Sequence, residues 1–340
     1  MKVLIIGGTR FLGRHLVTAA LARDHKVTLF NRGNHSTDAD VETIEGNRYT
    51  ELHKLEGRRW DAVVDTCGHL PRAVNAAAEV LADSVDRYVF ISSQNAYRDV
   101  SVPDIAEDYP LGTLTEDQLN EANAIDTKGQ PSYGRLYGGL KALCEQAAQE
   151  VMPGRVLILR PGLIVGPYDY SDRFTYWVVR VASGGEVLAP GRAERFIQFI
   201  DVRDLAEWTI NQIERSAVGA YNTHGQPNTL TMQGLLDECK NVSQSDAQFV
   251  WASEEFLLEQ QVAAWSEMPL WLPEDAAPHL KGFMFVSPRK AIAEGLMFRP
   301  VGDTIRDTLV WYRTRHANEA LKAGLNSDKE RALLAQLHSR

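Results

Sequence analysis

Three cysteines in 340 residues, Cys67, Cys144 and Cys239, are too few and too scattered for a disulfide framework, and no C-x-x-C occurs. No apolar run is long enough to span a bilayer. The opening residues lack the basic, apolar and small-residue series of a secretory leader. The expectation is a cytoplasmic protein without a membrane partner. Positive charge is short as well: 36 Lys and Arg against 45 Asp and Glu leave a formal net charge of −9. No nucleic-acid partner is therefore expected, although a local basic groove is compatible with that balance. Nine histidines without H-x-x-x-H, H-E-x-x-H or cysteine partners define no metal site. Without G-x-S-x-G a serine hydrolase has no anchor.

What is present begins at the first residue. Val3 to Ile6 form an unbroken apolar run, as a strand buried on both faces does. Gly7, Gly8 and Gly13 follow, and Phe11, Leu12, His15, Leu16, Ala19 and Ala20 recur at helical spacing. Strand, glycine turn and helix N-terminus together make a dinucleotide-binding turn, with free N–H groups and a partial positive charge offered to phosphates. A second strand, Lys26 to Phe30, ends at Asn31-Arg32, about 20 residues on, where the residue that reads the adenosine ribose belongs. An acid there suits the 2′-hydroxyl of NAD. Asn31 and Arg32 suit the 2′-phosphate of NADP, with Arg10 as a second positive charge, unless both arginines are simply solvated. The cofactor expected is NADP, with NAD open.

Strands around 41–44, 62–64, 87–92 and 156–159, separated by helical stretches such as 71–82, imply right-handed crossovers and a doubly wound parallel sheet. Ligands then sit beyond the carboxyl ends of the strands. The residues there include Gly7, Asn31, Thr66, Ser92, Ser93 and Pro161. Downstream, Tyr137 and Lys141 stand four apart and share a helix face. An ammonium beside a phenol favours the phenolate. Such a phenolate takes a proton from a substrate alcohol while hydride leaves for the cofactor, or returns it in reduction. Ser93 would hold the reacting oxygen.

The set GGTRFLG at 7–13, DAVV at 61–64, FISSQNAY at 90–97, YGGLK at 137–141, RPGLIVGP at 160–167, FIQFIDVRDLA at 196–206 and YNTHG at 221–225 resembles the extended short-chain dehydrogenase/reductases of the NAD-dependent epimerase/dehydratase family. The resemblance covers most of the chain. It implies a Rossmann dinucleotide-binding domain at 1–166, completed by parts of 196–225. A smaller substrate domain is implied at 167–195 and 226–315, with a surface helical tail at 316–340. It implies Ser93, Tyr137 and Lys141 as catalytic residues. Cofactor contacts are expected from Gly7, Thr9, Arg10, Phe11, Leu12, Gly13, Asn31, Arg32, Asn47, Thr66, Cys67, Gly68, Tyr137, Lys141, Pro161 and Leu163. Substrate contacts are expected from Gln94, Asn95 and Arg195. A homodimer is implied, with Glu145, Leu140, Leu143 and Cys144 as its face. Arg10 departs from the family pattern in place of the middle glycine, as do Asn31 and Asn47 in place of acids and Ile197 in place of a basic residue.

The acidic stretch at 98–132 is longer than the family usually carries and is either a lid over the substrate or a solvated excursion. Asp204 is expected to cap a helix beginning at Leu205. Aromatic residues around Phe174, Tyr176 and Trp177 read as core or as substrate lining. The function expected is an NAD(P)-dependent oxidoreductase or epimerase acting on an alcohol or carbonyl carbon of a small molecule, a sugar or sugar nucleotide among the candidates. The alternatives are an RNA-associated or a cofactor-sensing, non-catalytic protein on the same fold.

Overall fold

The computed structural model describes residues 1–35, 39–127, 132–273, 276–315 and 319–340. Strand β1 (Lys2–Ile6), helix α1 (Phe11–Leu21), β2 (Lys26–Asn31), β3 (Glu42–Glu45), β4 (Trp60–Asp65), α2 (Pro71–Leu81) and β5 (Val85–Ile91) alternate through the first quarter. Helix α3 (Glu116–Ala124), α4 (Tyr137–Val151) and β6 (Val156–Pro161) follow. Next come β7 (Leu163–Val165), α5 (Arg173–Ala182), β8 (Glu186–Pro190), β9 (Phe199–Asp201), α6 (Val202–Glu214) and β10 (Gly219–Thr223). The chain closes through α7 (Met232–Ser243), β11 (Gln248–Ala252), α8 (Glu254–Glu259), α9 (Arg289–Ala293), α10 (Val301–Tyr312) and α11 (Ser327–His338).

Seven strands form one parallel sheet in the order β10-β6-β5-β4-β1-β2-β3. The doubly wound fold expected from the sequence is the fold observed. Alternate residues of β1 explain its unbroken apolar run. Val3 and Ile5 pack with Leu12 and Leu16 of α1 on one face. Leu4 and Ile6 pack on the other face with Val74 of α2 and Cys144 of α4. Strand order reverses between β1 and β4, which places the ligand crevice at their carboxyl ends.

A separate core gathers Trp177 and Phe174 of α5, Leu235 of α7, Phe256 of α8 and Trp271 around the two-stranded pair β8-β11. Phe174, Tyr176 and Trp177 are all buried there, so they are core.

Two expectations are refined and two corrected. Residues 98–127 are largely exposed but anchored at intervals: Thr115 and Gln118 form a capping box on α3, and Ala122 is buried beside Tyr133 and Leu136. Ile105 packs with Tyr97 and Val286 in another small core. The end of the stretch at 128–131 lies outside the described residues. The carboxyl-terminal tail is a surface helix, as expected, docked by one face. Leu333 and Leu334 of α11 enter the second core, and Glu330 accepts from Arg180 at 2.6 Å and from the Leu188 N–H at 3.1 Å; residues 316–318 lie outside the described residues. Asp201 rather than Asp204 caps α6, accepting from Arg203 N at 2.8 Å, because β9 delivers Asp201 to the helix start. Asp204 instead bonds Arg299 at 2.7 Å. Leu140, Cys144 and Glu145 are buried within their own chain, so they present no dimer face, and of the four only Leu143 is half-buried.

Candidate active site

A cleft of about 650 Å³ opens at the carboxyl ends of β1, β2 and β4–β6. Its floor is the turn after β1. Gly7 and Gly8 sit at φ 105° and 90°, a region other residues rarely adopt. A Cβ on Gly7 would lie 2.3 Å from Thr66 Oγ1, and one on Gly13 would lie 2.6 Å from the Gly8 Cα. Turn and helix therefore touch backbone to backbone, the cradle a pyrophosphate requires. Arg10 needs no glycine in its place: its φ of −128° and ψ of 150° are ordinary extended backbone. The unusual φ falls instead on Phe11, at 30°. The Arg10 guanidinium stacks 4.3 Å from the Tyr170 ring centre.

Thr9, Phe11 and Leu12 border the cleft beside these glycines, as do Asn31, Arg32 and Asn47. Asn31 spends its amide locally, accepting from Gly33 N at 2.8 Å. Asn47 accepts from Tyr49 N at 3.0 Å. Arg32 donates to Thr127 O at 3.4 Å. Thr66 and Cys67 line the wall after β4, with Thr66 donating to Ile6 O at 2.9 Å.

Across the cleft stands the amino-terminal end of α4. Gly138 lets the helix approach the loop after β5, where a Cβ would lie 2.1 Å from Asn95 O. Tyr137 and Lys141 both line the cleft. Lys141 is buried, and its ammonium donates to Ile91 O at 2.7 Å and Gly68 O at 2.9 Å. Gly68 thus acts by holding the lysine and is outside the lining. Ser93 borders the cleft and accepts from Asn95 N at 3.2 Å, which leaves its O–H to donate. Its neighbour Ser92 donates downward to Glu145. Pro161 lines the cleft, but Leu163 lies outside the lining and packs against the second core. Gln94 is buried, Asn95 is exposed, and Arg195 pairs with Glu254 at 3.4 Å; none of the three borders the cleft.

Two buried ion pairs brace this wall. Glu145 accepts from Arg160 at 2.7 Å, and Arg160 continues to Tyr97 Oη at 3.1 Å and Glu107 O at 2.9 Å. Arg48 grips Asp65 with two bonds of 2.7 and 2.8 Å, and the Tyr88 phenol donates to the same carboxylate at 2.8 Å. Burial pushes the Asp65 carboxyl up, but the Arg48 charge and these bonds outweigh it and hold it below the usual carboxylate range.

Arg48 and His69 line the cleft and were missed from the sequence. His69 Nδ1 is buried with no hydrogen-bond partner among the described residues. Its ring centre lies 5.9 Å from that of Tyr133 and 6.4 Å from that of Tyr137. Burial, reinforced by the charges of Lys141 and Arg48, pushes the imidazole down to about 3, so it is neutral at pH 7. The available signal was position: His69 follows β4 at the ligand edge of the sheet.

Residues 3–85 match the NAD dependent epimerase/dehydratase family. The chain is 26% identical over 260 residues to the chloroplast stem-loop binding protein of 41 kDa b of Arabidopsis thaliana, an alignment covering 70% of this chain and 62% of that protein. It thus spans less than two thirds of that relative's length. Among solved structures, a UDP-glucose 4-epimerase superposes with a TM-score of 0.64 at 15% identity, covering 94% of this chain and all of the other. Human epimerase family protein SDR39U1 with NADPH superposes at 0.60 and 19% identity, over 91% and 99%. At these identities the superpositions establish the fold. The family recognised from the motifs is the family these comparisons return.

Proposed function

We propose that the protein binds NADP in preference to NAD and interconverts an alcohol and a carbonyl on a small molecule, as a reductase or an epimerase. One observation carries this reading: Tyr137 and Lys141, one helical turn apart, line the same cleft whose floor is the Gly7–Gly13 turn. The glycine cradle fits a dinucleotide, which supplies the hydride donor or acceptor when bound. The chain's own residues do the rest. Ser93 holds the substrate oxygen through its free O–H. The Tyr137 phenol gives a proton to that oxygen in reduction and removes it in oxidation. Lys141, fixed by Ile91 O and Gly68 O, keeps a third N–H for the ribose. His69, neutral and with its Nδ1 unpartnered among the described residues, offers a further contact to the bound ligand. Structural neighbours were solved with NADPH and with NAD alike, so the preference rests on Asn31, Arg32 and Arg10 in place of the family's acid and glycine. The sugar-nucleotide epimerases among the neighbours support a sugar or sugar nucleotide as substrate.

The test is to denature freshly purified protein, identify released nucleotide by mass spectrometry, and titrate the apoprotein with NADPH and NADH. NADPH bound more tightly is the result expected. A protein that binds neither dinucleotide would overturn the proposal, and retained NAD would reverse the preference and favour epimerisation.

The similarity to a stem-loop binding protein favours a second reading, an RNA-associated or cofactor-sensing relative without turnover. Affinity for a stem-loop RNA falling steeply with salt would support it. The net charge of −9 and the assembled Ser93, Tyr137 and Lys141 set favour catalysis.

A further inference from the structure

A second chamber of about 460 Å³ shares Thr9, Arg10, Asn34 and His35 with the main cleft, and its far side is formed by the carboxyl-terminal segment. Arg14, one turn along α1 from Arg10, lies 4.5 Å from the ring centre of Tyr168. Opposite, Arg315 bonds Asp172 at 2.6 Å and Glu319 at 2.9 Å, so its charge is answered within the chain. Asp172 also accepts from the backbone N–H of Lys322 at 3.0 Å, which sets that lysine on the rim, 5.8 Å from the Tyr170 ring centre. Tyr168 and Tyr170 remain 40% and 45% exposed although both stack against cations. Among the described residues lining the chamber, Arg10, Arg14, Arg315 and Lys322 face the single carboxylate of Glu319, and the chamber opens where the chain leaves β2, the edge at which a ribose 2′ position is read.

We infer that this chamber takes the 2′-phosphate of NADP, and that Arg14 and Lys322, together with Arg10, read it in place of Arg32. The inference rests on the dinucleotide reading above and goes beyond it by assigning cofactor choice to a segment outside the nucleotide-binding half. A dianionic phosphate needs several charge-assisted donors. The residue expected to supply them by its position, Arg32, borders the main cleft but not this chamber. The Asp172–Arg315 pair fixes the segment that presents Lys322.

Calorimetric titration of the full chain with NADP and with NAD tests this. The wild type should bind NADP at least tenfold more tightly. Arg14→Ala and Lys322→Ala should each cut that ratio by about tenfold, the worth of one charge-assisted bond, with NAD affinity unchanged. Arg32→Ala should leave the ratio within about twofold. Thermal melting verifies folding, and Lys322→Gln, at an exposed position, replaces any variant that fails it. Equal affinity of the wild type for the two cofactors overturns the chamber's role and leaves the dinucleotide site standing. So does a ratio unmoved by Arg14→Ala and Lys322→Ala, or one lost in Arg32→Ala. Failure to bind either cofactor overturns both readings.

Discussion

The two walls of the cleft are held in place by opposite means. The glycine wall is positioned by the absence of side chains: Gly8 and Gly13 bring turn and helix so close that an added Cβ would lie 2.6 Å from a backbone carbon. The tyrosine wall is positioned by buried charge, with Glu145–Arg160 behind Ser92 and Arg48–Asp65 beneath Cys67. Close backbone packing places a cofactor, and a substitution at the contact forces turn and helix apart. A buried ion pair tolerates a paired change, yet fails when one partner goes, because the other is left charged and dry.

Breaking one partner of the charged wall should have the largest effect. Arg160→Met strands Glu145, and urea denaturation should show a loss of about 3–5 kcal/mol. Adding Glu145→Leu should restore most of it; a double variant no better than the single one would mean the pair is not what braces that wall. Next comes the reacting phenol. Tyr137→Phe keeps the ring and should lower turnover by about 10²-fold or more while NADPH affinity stays within about twofold. Full activity would remove Tyr137 from the chemistry.

A pH contrast sharpens the same comparison. His69 is held neutral down to about 3 in the folded chain, against an ordinary value of 6.5. Below pH 6.5 the unfolded chain takes a proton that the folded chain refuses, so stability falls as pH drops from about 6.5 toward 3. His69→Gln should narrow the difference in unfolding free energy between pH 7.5 and pH 5.0 by about 2 kcal/mol. His224, buried and also pushed down to about 3, and His15, lowered by burial, add to the same slope, while Asp169, pushed up to about 6, opposes it. An unchanged gap would show that His69 protonates freely in the fold.

The smallest of these effects belongs to the glycine wall. Gly13→Ala should weaken binding of either dinucleotide by about tenfold while shifting turnover at saturating cofactor little, since α1 moves off the turn without disturbing α4. A variant that binds as the wild type does would mean the turn relaxes more easily than its packing indicates.

Much of this molecule was legible before folding. The apolar run at 3–6, the glycines after it and the alternation of strands and helices each report a local requirement, so the parallel sheet and the location of its ligand edge follow from spacing alone. Tyr137 and Lys141 share a helix face for the same reason, a fixed rise and turn per residue. Longer-range partnerships left no such trace. Nothing near Arg48 in sequence announces Asp65 and Tyr88 as its partners, and nothing near Glu145 announces Arg160 and Ser92. Leu163 and Arg195 were misplaced because the side toward which a short strand or a loop turns is decided by what packs against it. The helix at 327–338 reads as charged and exposed, yet Leu333 and Leu334 join a core that includes Phe174 and Trp177, more than a hundred positions away. Periodicity is written locally and so determined the architecture and the chemistry of one helix face. Which charges are buried together, and how the carboxyl-terminal segment comes to border the cofactor turn, depends on contacts between distant residues that only tertiary packing creates.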